Sequence, residues 1–399
     1  MYISQKYRIY PNQKQSSILN QWLGQGRFVW NHMLDLNIKT YKEEQRFVFV
    51  YGMNNLLPDL KKTPETSFLK EIPSQCLQQK CSDLDKALKQ SSRKAKNKKG
   101  FPKFKAKKLD ESGIRFPTFN FEGDRIILPK MTGGIKIKLH RPLLGKKGSL
   151  TLTKDKLGRY FVSILVAIDD PEPVTEINNA IGIDVGLKSF AVTSDGEVID
   201  NPKFYKRSQN KLTNLQRQHS KKLKGSSNRE KSRLRLAKQH KKVANQRKDF
   251  INQVASSIAK NNDLIAVEDL NVKGMVKNHK LAKAINDVGW GMFLTTLEWQ
   301  CLKRGKHFVK ISRWFPSSKT CSNCGVGYDP NLTLNDRVYV CPECNIEIDR
   351  DLNAAFNILN EGLRLHQNTV GTTEINACGA MKKVVMTSAQ EACCSLDNK

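Results

Sequence analysis

Apolar and polar residues alternate over YISQKYRIY at the start of the chain, which predicts a strand, and Tyr10-Pro11-Asn12 ends it. Asn12 with Gln15 three residues later has the form of a capping box, so a helix is expected to begin there. Ile18, Leu19, Trp22 and Leu23 share one helical face, and Phe28, Val29, Met33, Leu34 and Ile38 continue the stripe. Further helices are expected up to about residue 93. Pro58, Pro64 and Pro73 should break them, Ser74 should cap the last, and Cys81, Leu84 and Leu88 should form its core face. From about 113 to 170 the period falls to two: RFPTFNFEGDRIILPK, GGIKIKLHRPL and SLTLTKDKLGRYFVSILVAID read as strands joined by turns. The pattern predicts a small β-barrel over residues 1–11 and 94–178, a helical domain (12–93) inserted after its first strand, and a linker at PEPVTEINN, 171–179.

In the second half, IGIDVGLKSFAVTSDGEVID predicts strands at 181–185, 189–193 and 197–200, with turns at Gly186 and Asp195-Gly196. Residues 206–248 read as two helices divided at Gly225-Ser226-Ser227-Asn228. LIAVE (264–268) is a short apolar strand that ends in an acid. A helix at 291–303, a strand at 308–311 and an amphipathic helix at 352–363 follow. Residues 366–399 have no period and read as a mobile C-terminal tail. No repeat of 20–50 residues is visible.

Charge changes this picture from a fold to a function. The 399 residues carry 68 Lys and Arg against 38 Asp and Glu, a formal charge of +30. Self-repulsion of that size opposes compaction, so its natural counterpart is a polyanion. An anionic membrane is the weaker choice: no apolar run approaches the roughly 18 residues of a spanning helix, and MYISQKYRIY holds no signal-peptide core. The cations concentrate in two places. SSRKAKNKKGFPKFKAKK (91–108), with Phe101 and Phe104 among its lysines, reads as a phosphate-contacting loop that includes Lys103, Lys105 and Lys107. Residues 206–248 hold sixteen Lys and Arg against the single acid Glu230, and Lys221, Lys222, Lys224, Arg233 and Arg235 are candidate nucleic-acid contacts.

Four of the ten cysteines, Cys321, Cys324, Cys341 and Cys344, form C-x2-C-x16-C-x2-C. Each C-x-x-C turn can bring two thiolates to one metal, which predicts one structural Zn²⁺ in a zinc ribbon, with Gly325 in the turn after the first pair. The other six make no disulfide framework, so a reducing, cytoplasmic compartment is expected. Three acids lie where acids are costly. Asp184 sits in an apolar strand, Glu268 ends another, and Asp351 stands at the start of LNAAFNIL. Hard oxygen ligands of this kind suit Mg²⁺, and two ions about 3.5–4 Å apart could serve phosphodiester cleavage.

The set IGIDVGLKSFAV, VEDL, FPSSKTCSNCG, CPEC and DRDLNAAFNIL resembles TnpB, the RNA-guided nuclease family of insertion sequences related to type V CRISPR effectors. GFPKFKAKK, KIKLHRPL and VGTTEINACG are similar as well, so the likeness spans nearly the whole chain. The resemblance implies a RuvC-like, RNase H-type nuclease fold (179–314 and 346–365) interrupted by the zinc ribbon (315–345), behind a wedge barrel and a helical recognition domain. It implies Asp184, Glu268 and Asp351 as catalytic acids; Asp351 is chosen over Asp349 because the family's acid directly precedes the x-N-A-A helix start. Asp349 and Asp269 are then supporting residues. It also implies a guide RNA from the transposon end, a double-stranded DNA target beside a short adjacent motif, and a monomer with its RNA at the prokaryotic nucleoid. Two other classes compete. A nuclease-inactive RNA-guided repressor would lack the acids, and an acidic-triad transposase would need no RNA. A single-strand transposase of the His-x-His type is excluded, since none of the seven histidines forms that pair.

Overall fold

Strand β1 (Tyr2–Tyr10) buries Ile3, Gln5, Tyr7 and Ile9 and exposes the residues between them, as its alternation requires. Gln5, the one polar residue on the buried face, accepts from the Leu144 N–H at 3.1 Å. The computed structural model describes residues 1–92, 100–107, 113–327 and 336–370. Part of the basic run (93–99 and 108), ribbon residues 328–335 and the tail from 371 onward, with most of VGTTEINACG, lie outside the described residues. Two compact units, Met1–Asp170 and Pro171–Lys399, meet in sequence where the linker was expected to start.

In the first unit, α1 (Gln13–Glu44) begins at the expected capping box: the Asn12 side chain accepts from Gln15 N, and the Gln15 side chain accepts from Asn12 N. Helices α2 (Val50–Lys62) and α3 (Ser74–Ser92) follow, separated by a 3-10 turn at Pro64–Lys70. Two expectations are corrected. Pro58 lies inside α2 rather than breaking it, because burial of Met53 and Leu57 on that helix offsets the lost backbone bond. Ser74 is the first residue of α3, not its cap, and its hydroxyl accepts from Lys61 Nζ at 2.6 Å. Cys81, Leu84 and Leu88 are buried on α3 as expected.

Strands β2 (Ile114–Phe116), β3 (Asn120–Glu122), β4 (Arg125–Ile127), β5 (Ile135–Lys138), β6 (Lys146–Lys154) and β7 (Tyr160–Ala167) join β1 in one antiparallel sheet, ordered β2-β6-β7-β1-β5-β4-β3. Since β1 lies between β7 and β5, the three helices are an excursion between strands of a single sheet. Among the described residues β2 and β3 are not paired with each other, so in its hydrogen bonding the sheet is open rather than a closed barrel.

The second unit is built on a five-stranded sheet. Strands β8 (Ala180–Asp184), β9 (Ser189–Thr193) and β10 (Val198–Asp200) run antiparallel in succession. Helices α4 (Phe204–Ser220) and α5 (Ser227–Asn261) carry the chain to β11 (Leu264–Glu268), which lies parallel to β8. The short helices α6 (Val272–Met275) and α7 (Ala282–Val288), not foreseen from the sequence, and α8 (Trp290–Leu302) lead to β12 (His307–Ile311), parallel to β11. The order is β10-β9-β8-β11-β12. A hairpin, β13 (Val338–Val340) with β14 (Glu347–Asp349), precedes α9 (Arg350–Val370), which runs past the expected end at 363 and takes in residues 366–370 of the expected tail.

Strand parity decides what each face of this sheet holds. Ile181, Ile183, Ile265 and Val267 pack with Ile251 and Ile258 of α5 and Phe293 and Leu297 of α8. Leu264 and Ala266 face the other way, against Ile358 of α9. Glycine permits α9 to come this close. A Cβ on Gly182 would fall 2.2 Å from the Ala355 carbonyl oxygen, and one on Gly362 would fall 2.3 Å from the Ala266 Cβ. The expected outcome of Gly182→Ala is a loss of about 1–3 kcal/mol or more from forced separation of β8 and α9. Thermal unfolding would read it, and a variant as stable as the parent would show that the contact can relax.

Candidate active site

Asp184 and Glu268 occupy the last positions of neighbouring parallel strands. Ala266 pairs with Gly182 and Val267 with Ile183, so the next step in register brings Glu268 level with Asp184. By parity both share the face of Gly182 and Ala266, which is the face that α9 covers. Asp351 lies in the first turn of that helix. The pattern of one period-2 strand pair and one close-packed helix thus converges three acids, all half-buried. Asp184 registers this crowding: its carboxyl is pushed up to about 7, first by burial, then by the charges of Glu268 and Asp351. The Val185 N–H and the Arg350 guanidinium act weakly the other way. Burial also raises the Glu268 carboxyl, against a hydrogen bond from Ser317.

The acids flanking these three are engaged elsewhere. Asp349 is exposed, and its Oδ1 accepts from the Asp351 and Leu352 N–H groups at 2.9 and 3.1 Å, which makes it the N-cap of α9. Asp269 is ion-paired with Arg313. Sequence reasoning missed several residues around the site. Ser317 donates to Glu268 Oε1, and buried Asn353 and Asn357 of α9 bond the backbone of residues 317–322. Their signal was present in LNAAFNIL, where two asparagines four apart interrupt an otherwise apolar helical face.

The four ribbon cysteines come together as the spacing requires. Their sulfurs lie within 4.8 Å of one another, with Cys321 to Cys344 at 3.6 Å and Cys324 to Cys341 at 3.5 Å. The Asn323 side chain and the Ile346 N–H hold the Cys344 thiol down, to about 6. Gly325 takes φ +74° in the turn, as its place after Cys324 suggested. Four closely held sulfurs form a complete ligand set for one metal ion. Among the described residues no other group of three or more His, Cys, Asp or Glu ligand atoms is as tight, so the three carboxylates are looser than a single-ion cage.

The candidate nucleic-acid residues divide by what holds them. Lys103, Lys107, Lys221, Lys222, Lys224 and Arg235 are exposed. The Lys105 ammonium lies 3.6 Å from the Trp30 ring centre, and its backbone is held by both ends of the Asn31 amide, at 3.0 and 2.8 Å. Arg233 makes a two-point ion pair with Glu230. These two cations therefore shape the loop and the helix. Asp287, absent from the sequence reading, fixes the root of the basic helix pair: it accepts from the Tyr205 and Lys206 N–H groups of α4 and pairs with Arg247 of α5 at 2.9 Å.

A family model described as "Probable transposase" matches residues 163–279, and one described as "Cas12f1-like, TNB domain" matches 290–358. A "Helix-turn-helix domain" model matches 1–46, which here hold β1 and the single helix α1. A Streptomyces pristinaespiralis protein named "Putative RNA-guided DNA endonuclease" is 36% identical, over 90% of this chain and 89% of its own. The Escherichia coli K12 protein "Putative RNA-guided DNA endonuclease InsQ" is 29% identical, over 90% and 91%. Among solved structures, the Cas12f1 chain of a Cas12f1–sgRNA–target DNA complex shares the fold, with a TM-score of 0.53 at 18% identity over 87% of this chain and 83% of that one.

The raised Asp184 carboxyl has a consequence for stability. A carboxyl held above its ordinary value costs nothing below pH 4, and its cost grows as pH rises towards 7, where the folded chain must give up a proton it prefers to keep. Asp184→Asn is therefore expected to raise the melting temperature of metal-free protein at pH 8, by about 2–4 °C per kcal/mol relieved, and to have little effect at pH 4. A melting temperature unchanged or lowered at pH 8 would contradict the crowding.

Proposed function

This chain belongs to the TnpB family of insertion-sequence proteins, and from that premise we propose that it is an RNA-guided, divalent-metal-dependent DNA endonuclease. The observation that carries the reading is the convergence of Asp184, Glu268 and Asp351 at one end of the β8–β11 pair in an otherwise strongly cationic chain. A protein that only bound nucleic acid would gain nothing from three crowded acids beside its anionic ligand. The second unit is then a RuvC-like nuclease (179–314 and 346–365) with the ribbon (315–345) inserted, and its strand order supports an RNase H-type sheet. The wedge (1–11, 94–178), which lies mostly in the first unit, and the recognition helices (12–93) read a short motif beside the double-stranded target.

The donor sets fit two kinds of metal. Asp184, Glu268 and Asp351 offer only hard carboxylate oxygens, and their unrelieved repulsion suits two Mg²⁺ ions. Cys321, Cys324, Cys341 and Cys344 suit one structural Zn²⁺, with no ligand position left open for chemistry. When bound among the carboxylates, divalent ions supply charge stabilisation to the phosphodiester undergoing cleavage. The chain's own part is to hold the three acids in place. Arg350, anchored by Ser318 and the Asp336 carbonyl, contributes fixed positive charge beside Asp184. Exposed lysines and arginines hold backbone phosphates of a guide RNA derived from the transposon end and of its DNA target. Sequence reading falls to base pairing, and the protein acts as a monomer with its RNA, in the cytoplasm.

Alanine at Asp184, Glu268 or Asp351 is expected to lower cleavage by orders of magnitude in Mg²⁺ while RNA binding persists. Asp349→Ala should cost only about 1 kcal/mol of cap energy and keep substantial activity. Cleavage assays on purified ribonucleoprotein decide this, and an inactive Asp349→Ala beside an active Asp351→Ala would reverse the assignment. RNase treatment before assembly should abolish cutting, whereas full activity without RNA would remove the guided mechanism. Elemental analysis should find one zinc per chain. Raising salt from 50 to 200 mM should weaken target binding by roughly three decades if six phosphates are contacted, and replacing Lys221, Lys222 and Lys224 with alanine should flatten that slope equally for matched and mismatched targets.

A further inference from the structure

Glutamate is an awkward metal ligand, because it has one more rotatable bond than aspartate and needs something to hold it. Glu268 is held from one side by Ser317, which is 6% exposed and donates its hydroxyl to Oε1. Ser317 is itself fixed by α9. The Asn357 Nδ2 donates to the Ser317 carbonyl at 2.7 Å and to the Thr320 carbonyl at 2.6 Å. One turn earlier, Asn353 Nδ2 donates to Thr320 O at 2.8 Å, and its Oδ1 accepts from Ser322 N at 2.9 Å. Asn353 is fully buried and Asn357 5% exposed. These bonds suspend residues 317–322, which include the first ribbon cysteine, from the helix whose first turn carries Asp351.

Two buried amides on an apolar helical face cost stability unless each partner is satisfied. Alanine or leucine there would pack against the sheet without that condition. What the amides add is a fixed distance between the segment bearing Ser317 and the start of α9. We propose that Ser317 is a positioning residue for the nuclease site. Its hydroxyl pins the Glu268 carboxylate by Oε1 and leaves Oε2 to the metal, and the asparagine ladder ties that geometry to Asp351. The proposal rests on the reading of Asp184, Glu268 and Asp351 as the metal-binding set.

The test measures Mn²⁺ binding to the intact ribonucleoprotein by electron paramagnetic resonance, without target DNA. It uses wild type, Ser317→Ala, Ser317→Thr and, as control, Glu268→Gln. Ser317→Ala should weaken Mn²⁺ binding about 10- to 100-fold, the usual effect of losing a group that orients a ligand. The metal concentration giving half-maximal cleavage should rise by the same factor, with a smaller change in rate at saturating metal. Zinc content and RNA affinity should stay at wild-type values, and Ser317→Thr should recover most of the loss. A merely structural serine would lower melting temperature or zinc content without moving the metal affinity of the folded protein. Ser317→Ala binding Mn²⁺ like wild type while Glu268→Gln is impaired would overturn the proposal and leave the triad standing. Equal losses in Ser317→Ala and Ser317→Thr would overturn the hydroxyl as the cause. Wild-type binding and cleavage by Glu268→Gln would instead overturn the triad on which the proposal rests.

Discussion

Like charges held together away from bulk water are the constraint on which the second unit depends. Three carboxylates that repel one another must be brought to one end of a sheet before any counter-ion can reward their approach. Ordinary packing supplies the force: apolar faces on both sides of β8 and β11 bury Ile181, Ile183, Ile265 and Val267 towards α5 and α8, and Leu264 and Ala266 towards α9. Gly182 and Gly362 convert that packing into proximity, because a side chain at either would push α9 off the strands. On the proposed reading, metal affinity is thus stored in the fold as tension between hydrophobic burial and carboxylate repulsion.

Much of this was legible beforehand, for identifiable reasons. Strands with strict alternation, such as β1, and helices opened by a side-chain cap, such as α1, carry local signals that tertiary contacts did not override. The cysteine spacing encodes a local geometry, so its four residues met as expected. Asp184 and Glu268 stood out because each lies on an apolar strand, whereas Asp351 was chosen over Asp349 only by family resemblance. Ser317, the support of Glu268, carried no such signal. Ser317 and Glu268 are 49 residues apart in sequence, and only the folded sheet joins them. Pro58 shows the converse error: a strong local breaker was outweighed by burial of its own helix face. Asp287 gave no signal at all, because an acid that caps one helix and pairs with another looks in sequence like any surface acid.

The basic helix pair obeys a different balance. The N-terminal half of α5 buries little beyond Ser232 and Val243, whereas its C-terminal half buries Ile251, Ala255, Ile258 and Ala259 in the nuclease core. Inward-facing cations such as Arg247 are matched by acids, but most of the sixteen positive charges between 206 and 248 have only Glu230 within the segment to offset them. Bound phosphates would remove that self-repulsion, so on the proposed reading RNA binding and folding of this region reinforce each other.

The place of α9 in the chain has a bearing on when such an enzyme could become dangerous to its host. Strands β8 and β11 and their two acids leave the ribosome well before the helix that covers them, and one face of the sheet stays uncovered until α9 emerges. Domains fold in the order of their synthesis, so on the proposed reading the first unit and the basic helices can engage RNA while the cutting centre still lacks Asp351. Chains abandoned midway through translation would therefore bind nucleic acid without being able to cut it. On the proposed reading, the nuclease is armed only once α9 has been made.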